Sequence, residues 1–151
     1  MATRTREKRL DPEVFDLPVE KMRAGWYTDA YFNHARAALV EDGRHPRVVM
    51  QVFQKKHSYV GGIDEAIAIL KLCSHDWEQL TVHALYDGDP IEPFEPVMHI
   101  EGDYTLFAHL ETPYLGVLAR RTLITTNVVR VLEAALAACL ELEHGHRDDQ
   151  D

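Results

Sequence analysis

Short strands and amphipathic helices alternate along the chain. The β-rich run from Arg47 to Phe53 predicts a first strand. A second strand is predicted from Leu80 to Leu85, where apolar and polar positions alternate, and a third from Val97 to Ile100. The segment Asp87-Gly88-Asp89-Pro90 has the composition of a turn. Because helical segments separate and follow these strands, the pattern favours an α+β fold in which helices cover a short strand layer.

The first helical segment begins at Thr28 or Asp29, either of which is a suitable N-cap. It ends at Asp42-Gly43, where glycine suits the left-handed position after a helix. Its predicted apolar face consists of Tyr31, Phe32, Ala35, Ala38 and Leu39.

Two further helices follow. One is predicted from Ile63 to Leu72, directly after the Gly61-Gly62 break. The other starts after Thr105 and continues to Leu142, with Pro113 in the first turn of a restarted helix. Its core face is predicted at positions four apart, namely Leu106, Leu110, Tyr114, Leu118 and Thr122.

The domain organisation follows from these elements and from the chain length of 151 residues, which suits one domain. Residues 1–19 are polar and contain Pro12 and Pro18, so we expect an extended arm that is ordered only when something binds it. The domain itself is predicted over residues 20–142. Residues 143–151 are expected to form a charged, frayed tail.

Composition narrows the class of function. The net charge of -9 argues against nonspecific nucleic-acid binding and against adhesion to an anionic membrane. No apolar run approaches the roughly 18 residues of a membrane span. The two cysteines, Cys73 and Cys139, lie in apolar helical contexts and are interpreted as buried free thiols. Together these features predict a cytoplasmic protein without nucleic-acid or membrane partners.

Two arginines and one tyrosine are the candidate binding residues. Arg120 and Arg121 are adjacent in an apolar stretch, and arginine is well suited to recognising a carboxylate or a phosphate. A surface position or a structural salt bridge is the alternative interpretation. The pattern favours Tyr31 as a core residue of the first helix, and the alternative is a ring that stacks on a flat heteroaromatic ligand.

A metal site is less well supported by the sequence. Nucleotide-binding, metalloprotease and hydrolase motifs are absent. Asp87, Asp89, Glu101 and Asp103 form an acidic cluster in which a Mg²⁺ site is conceivable. Turn chemistry accounts for the first two residues, and solvation accounts for the other two.

Over residues 9–134 the sequence resembles the N-terminal part of nicotinate phosphoribosyltransferases, which are related to quinolinate phosphoribosyltransferases. The motifs that carry the resemblance keep their order along the chain; they are Thr28-Asp29-Ala30-Tyr31-Phe32, Phe53-Gln54-Lys55, Asp87-Gly88-Asp89-Pro90-Ile91, Glu95-Pro96-Val97-Met98, Ile100-Glu101-Gly102-Asp103-Tyr104, Leu110-Glu111-Thr112 and Gly116-Val117-Leu118-Ala119-Arg120-Arg121-Thr122 with Asn127. The resemblance implies the fold called an α/β-hammerhead or barrel-sandwich hybrid, as the N-terminal domain of a type II phosphoribosyltransferase.

The same resemblance implies a reaction and a set of site residues. The reaction joins nicotinate to phosphoribosyl pyrophosphate in NAD salvage, is coupled to ATP hydrolysis and uses Mg²⁺. Tyr31 matches a tyrosine that lies against the pyridine ring. Arg121 matches the arginine before threonine in the Glu-Arg-Thr motif of the related quinolinate enzymes, which contacts the acidic substrate, and Thr122 beside it is also taken as a substrate-binding residue. Arg120 stands where the related quinolinate enzymes have glutamate, so the resemblance leaves open which arginine faces the ligand.

The family's catalytic barrel is expected to begin where this sequence ends. The resemblance therefore implies that the chain contributes a nicotinate pocket and an oligomer interface, while a homo-oligomer or a separate barrel-domain chain completes the enzyme. On this interpretation the chain alone binds neither ATP nor Mg²⁺ and does not complete the reaction. The alternatives are a stand-alone binding or regulatory module and a truncated relic with the same fold.

Overall fold

The computed structural model describes residues 8–145, with side-chain environments through residue 139. Four α-helices have the bounds α1 Val19–Arg23, α2 Ala30–Glu41, α3 Ile63–Cys73 and α4 Glu111–Gly145. Five strands have the bounds β1 Arg47–Phe53, β2 Ser58–Tyr59, β3 Thr81–Ala84, β4 Pro90–Ile91 and β5 Pro96–Asp103. The remaining regular pieces are 3-10 turns, including two between β5 and α4. The predicted α+β class is confirmed.

The strands form two small antiparallel sheets. In the larger sheet β5 lies between β1 and β3, and Arg47 pairs with Asp103 while Thr81 pairs with Glu101. In the smaller sheet β2 pairs with β4. One face of the larger sheet packs on the core, which is why exposed and less exposed residues alternate along β1. The predicted first strand matches β1 in full, and the third extends beyond its predicted bounds.

Helix α3 is the centre of the core. Gly62 precedes it with a φ of 88°, and the Ile63 amide donates to Asp87 Oδ1 at 2.7 Å, so a side chain from the predicted turn caps its first turn. The helix is buried on the face formed by Ile63, Ala66, Ile69, Leu70 and Cys73. These side chains pack against apolar residues of β5 and α4, which gives one contiguous core.

The backbone of residues 59–61 is held against α4 by threonine hydroxyls. Thr126 Oγ1 accepts from the Tyr59 amide at 3.0 Å, and Thr122 Oγ1 accepts from the Gly61 amide at 3.2 Å. The Thr122 hydroxyl also donates to the Gly61 carbonyl, at 3.3 Å. Two buried hydroxyls one helical turn apart therefore satisfy backbone groups that have no strand partner here.

The N-terminal segment contacts the domain from Arg9 onward. Arg9 bonds Asp64 at 2.9 Å, donates to the carbonyls of Ala84 and Leu85, and lies 3.9 Å from the centre of the Tyr86 ring. The expectation of an arm ordered only by a partner is therefore wrong for residues 8–19, because Arg9 finds partners within the domain. Residues 1–7 and most of the predicted tail lie outside the described residues.

The expectation for one cysteine is wrong, and one apolar span was not expected. Cys73 is a buried free thiol as predicted, but Cys139 is exposed, because the second half of α4 runs beyond the core. The span Ala108–Cys139 reaches a mean hydropathy of 1.4 and is long and apolar enough to cross a membrane, and only 11% of its most apolar stretch is buried. No span of this kind was expected from the sequence. A single helix of this kind is weak evidence for a membrane.

Gly61 provides a direct test of the contact between α4 and the residues before α3. A Cβ at Gly61 would collide with Thr125 Oγ1 and lie 2.9 Å from the Arg121 carbonyl oxygen, so Gly61→Ala should lower the free energy of unfolding by roughly 1 to 3 kcal/mol through overpacking. Gly116→Ala on the same helix is the matched control. It meets no atom within 4 Å and should stabilise α4 by about 0.5–1 kcal/mol. Equal urea midpoints for the two variants would contradict the close approach.

His109 should make stability depend on pH. Burial and the neighbouring His75 lower its pKa to about 4, whereas the unfolded value is 6.5. Between pH 6.5 and about pH 4, the His109 imidazole is protonated in the unfolded chain but neutral in the folded chain. The free energy of unfolding should therefore fall by about 2 to 3 kcal/mol across that window. Urea unfolding at a series of pH values should show a flatter profile for His109→Gln, and an unchanged slope would contradict the assignment.

Candidate functional site

A groove of about 530 Å³ runs along one face of α4 and is bounded on α3 by Glu65. Its α4 residues recur every three or four positions, which places them on one side of the helix. Gly116 contributes no side chain and so leaves room in the floor of the groove. The lining also includes Thr112, Pro113, Val117, Arg120, Arg121 and Ile124. The two predicted arginines therefore share one site.

Arg121 is held in an ion pair across the groove. Its Nε donates to Glu65 Oε2 at 2.6 Å, and its Nη2 lies 2.5 Å from the same oxygen. Glu65 lies in the first turn of α3 with its side chain only 15% exposed, whereas the Arg121 side chain is 55% exposed. Glu65 was not among the predicted site residues, because a carboxylate in the first turn of a helix is ordinarily explained by the helix dipole alone.

Arg120 is the cation in the groove that remains available. It is exposed, and it forms no ion pair with any residue between positions 8 and 139. The formal charges of Arg120, Arg121 and Glu65 leave the groove with one net positive charge. A single guanidinium fork with free donors is suited to bidentate binding of one carboxylate.

Tyr31 lies at the start of α2 with its ring 61% exposed, and it stacks on Phe32 with ring centres 4.0 Å apart. The interpretation of Tyr31 as a core residue is therefore wrong, because among the predicted apolar face of α2 only Phe32 is buried. The alternative, a ring free to stack on a ligand, is compatible with this exposure. Desolvation and the nearby carboxylates of Glu111 and Asp29 raise the pKa of the Tyr31 hydroxyl, which keeps it protonated.

The start of α2 is fixed beside the groove by Thr112. The Asp29 amide donates to Thr112 Oγ1 at 3.2 Å, and the Thr28 hydroxyl lies 3.3 Å from the same oxygen. Asp29 is the N-cap residue of α2, as expected, although its side chain makes no capping hydrogen bond. Tyr31 is not among the residues that line the groove, but Thr112 connects the helix that carries it to the groove wall.

Thr122 lies away from the groove. Its side chain is buried, and its hydroxyl is engaged by both backbone groups of Gly61. The structure thus gives Thr122 a packing role, and its predicted contact with substrate gains no support from the geometry. The core face on which Thr122 was also predicted is confirmed through its buried members Leu110, Tyr114 and Leu118.

The acidic cluster does not fit a magnesium site. Asp87 caps α3, and Asp89 Oδ2 accepts from the Tyr86 amide at 2.9 Å, as turn chemistry requires. Glu101 pairs with Arg47, and Asp103 accepts from Thr105 and contacts His45. Desolvation raises the pKa of Asp103, but the contacts with Thr105 and His45 together outweigh it, so the pKa is lowered. Within residues 8–145, no group of three metal-ligating side chains is close enough to hold an ion.

Comparison with known families identifies the domain. The model of the quinolinate phosphoribosyl transferase N-terminal domain matches residues 29–122, which is more than half of the chain. The chain belongs to this family. The matched residues run from the N-cap of α2 to Thr122 in α4. The predicted fold, that of a type II phosphoribosyltransferase N-terminal domain, is confirmed.

Individual relatives of this quinolinate phosphoribosyl transferase-type domain are larger proteins. Nicotinate phosphoribosyltransferase 1 of Arabidopsis thaliana is 33% identical over 75 residues, which cover 50% of this chain and 13% of that protein. The nicotinate-nucleotide pyrophosphorylase of Pyrococcus furiosus superposes with a TM-score of 0.57 at 28% identity, over 74% of this chain and 28% of its own. Human nicotinic acid phosphoribosyltransferase superposes with a TM-score of 0.59 at 19% identity, over 69% and 28%.

The two arginines should separate in stability measurements. Arg121→Ala removes the partner of the largely buried Glu65 carboxylate and should lower the free energy of unfolding by roughly 1 to 3 kcal/mol. Arg120→Ala removes an unpaired surface charge and should change it by less than about 0.5 kcal/mol. Urea denaturation at pH 7 measures both values. A loss on Arg120→Ala as large as that on Arg121→Ala would contradict this assignment of partners.

Proposed function

We propose that this domain supplies the acid-recognising part of the substrate site of a nicotinate phosphoribosyltransferase. The proposed reaction joins nicotinate to phosphoribosyl pyrophosphate, gives nicotinate mononucleotide and pyrophosphate, and belongs to NAD salvage. Membership of the phosphoribosyl transferase family supports the reaction class. The observation that carries the choice of substrate is the unpaired Arg120 beside the Arg121–Glu65 ion pair.

The charge of the groove favours a pyridine monocarboxylate over a dicarboxylate. Glu65 neutralises Arg121, so one guanidinium remains for one carboxylate. A second carboxylate on the ligand, as in quinolinate, would have to displace Glu65 from Arg121 or lie unpaired near it. Either arrangement costs free energy, because a carboxylate removed from water needs a partner.

The domain's contribution is to bind and orient the ligand. Arg120 binds the carboxylate, and the exposed Tyr31 ring at the start of α2 is available to stack on the pyridine. Glu65 fixes Arg121, so that the groove keeps its shape when empty. The chain spans 28% of the Pyrococcus furiosus protein and 28% of the human one. We therefore assign the binding of phosphoribosyl pyrophosphate, ATP and Mg²⁺ to a barrel domain on a second chain or a further segment. We propose that the whole assembly acts in the cytoplasm.

Calorimetric titration of nicotinate into the purified chain tests the proposal, with nicotinamide and quinolinate as comparison ligands. Nicotinate should bind at least tenfold more tightly than either, since nicotinamide lacks the charge and quinolinate carries one too many. Arg120→Ala should reduce nicotinate affinity about tenfold or more, in line with the loss of a charge-assisted hydrogen bond. Tyr31→Ala should weaken nicotinate and nicotinamide alike, because stacking does not depend on the carboxylate.

Glu65→Gln is the informative control. It frees Arg121 and gives the groove a second unpaired cation, so quinolinate affinity should rise while nicotinate affinity changes little. Circular dichroism of each variant establishes that the domain is folded. Equal binding of nicotinate and nicotinamide, or tighter binding of quinolinate by the unaltered chain, would contradict the proposal.

A further inference from the structure

Two of the sequence motifs that carry the family resemblance meet at the hydroxyl of Thr112, in the first turn of α4. Thr112 Oγ1 accepts from the Asp29 amide at 3.2 Å and donates to Asp29 Oδ2 at 3.4 Å. The Thr28 hydroxyl donates to the same oxygen of Thr112 at 3.3 Å. One side chain of α4 therefore contacts the amide, the carboxylate and the hydroxyl of the two residues that precede α2.

Thr112 belongs to the groove as well as to this contact with α2. It lines the groove together with Arg120, which is eight residues and therefore about 12 Å further along α4. Helical side chains lean toward the N-terminus of their helix, so a side chain at position 120 is expected to extend toward Thr112. Gly116, halfway between them, leaves the intervening space open, since a Cβ there would meet no atom within 4 Å.

The Tyr31 ring packs against Phe32 and is otherwise mostly exposed. The two ring centres are 4.0 Å apart, and Phe32 itself is only 5% exposed. The buried Phe32 attaches the first turn of α2 to the core, while Thr112 attaches the residues before that turn. Tyr31 lies between these two attachments in the sequence, and together they restrict where its ring can lie.

The charges differ between the two ends of this arrangement. Desolvation and the nearby carboxylates of Glu111 and Asp29 raise the pKa of the Tyr31 hydroxyl, so acidic groups lie beside the ring. Arg120 provides a cation further along the groove. A pyridine carboxylate is therefore favoured with its carboxylate toward Arg120 and its ring toward Tyr31, because a carboxylate beside the two acidic residues would be repelled.

We propose that Thr112 is a positioning residue for the pyridine ring, because its hydroxyl sets the start of α2, and with it the Tyr31 ring, at a fixed distance from Arg120. The ligand then meets both contacts at once, with its ring on Tyr31 and its carboxylate on Arg120. This assignment rests on the proposed function for the nature of the ligand. It adds a residue that takes no part in recognising the charge and that determines how much of the stacking contact is obtained.

A purely structural role for Thr112 is the competing explanation. In that case the hydroxyl would stabilise the domain, and its loss would leave the ligand affinity of the folded chain unchanged. The positioning role predicts instead that loss of the hydroxyl removes the contribution of Tyr31 to binding. It also predicts that serine, which keeps the hydroxyl and lacks the methyl group, retains that contribution.

Calorimetric titration of nicotinate and nicotinamide into variants of Thr112 tests the assignment. Thr112→Val removes the hydroxyl and should weaken both ligands by roughly three- to tenfold, the range expected when a contact between aromatic rings is lost. The two ligands should lose affinity equally, because the ring contact does not depend on the carboxylate. Thr112→Ser should stay within about twofold of the unaltered chain, since it keeps the same donor and acceptor.

Double variants distinguish positioning from a general loss of stability. If Thr112 acts through Tyr31, adding Thr112→Val to Tyr31→Ala should weaken nicotinate by less than about twofold beyond Tyr31→Ala alone, because the contact is already lost. Thr112→Val combined with Arg120→Ala should show the product of the two single effects. Circular dichroism and urea denaturation establish that each variant is folded.

Asn33→Ala is the matched control within α2. Asn33 Nδ2 donates to the Gly25 carbonyl at 3.0 Å, so this variant loses a side-chain attachment of the same helix away from Thr112. It should change stability and leave both ligand affinities unaltered. Thr28→Val removes the partner hydroxyl from the α2 side and should weaken both ligands in the same direction as Thr112→Val, so the test does not depend on a substitution at position 112.

The outcomes separate this inference from the proposed function. Equal affinities of the unaltered chain for nicotinate and nicotinamide would contradict the charge recognition, while the equal loss of both ligands in Thr112→Val would still support the positioning role. Unchanged affinities in Thr112→Val, an equal loss in Asn33→Ala, or independent effects of Thr112→Val and Tyr31→Ala would overturn that role. Binding of neither ligand by the unaltered chain would overturn both.

Discussion

The contact between α4 and the extended backbone of residues 59–61 determines where the other functional parts lie. Thr122 and Thr126 bind that backbone from one helix face, and Gly61 allows the close approach. The same contact brings the start of α3 against α4, and therefore Glu65 against Arg121. A polar patch in an apolar helix thus acts as an attachment point, and the neighbouring face is left to form the groove.

Local patterns predicted the elements well. The bounds of β1, the end of α2 at Asp42 and the buried face of α4 all follow from residue type and spacing within a short window. Periodicity identifies an apolar face but does not show whether anything covers it. Tyr31 and Cys139 both sit at helical apolar positions, and both are exposed because α2 and the end of α4 have little of the domain above them.

The site was predictable only in part. Arg120 and Arg121 stand out as adjacent arginines in an apolar stretch, and they do share a groove. Their different partners could not be predicted, since Glu65 is 56 residues away from Arg121 and carries no local mark of the pairing. Thr122 shows the converse difficulty. A motif match places it beside a substrate-binding residue, yet consecutive helix positions point in different directions, and its hydroxyl faces Gly61.

The N-terminal segment affects the local unfolding of α3. Arg9 binds Asp64 at the start of α3, and Arg23 donates to the Leu72 carbonyl at its end, at 2.6 Å. The N-terminal segment therefore contacts both ends of the central helix α3. Local fluctuations that expose α3 amides should therefore be coupled to the release of Arg9 or Arg23, so hydrogen exchange in α3 should depend on a segment whose Leu17, Val19 and Met22 also pack against the core.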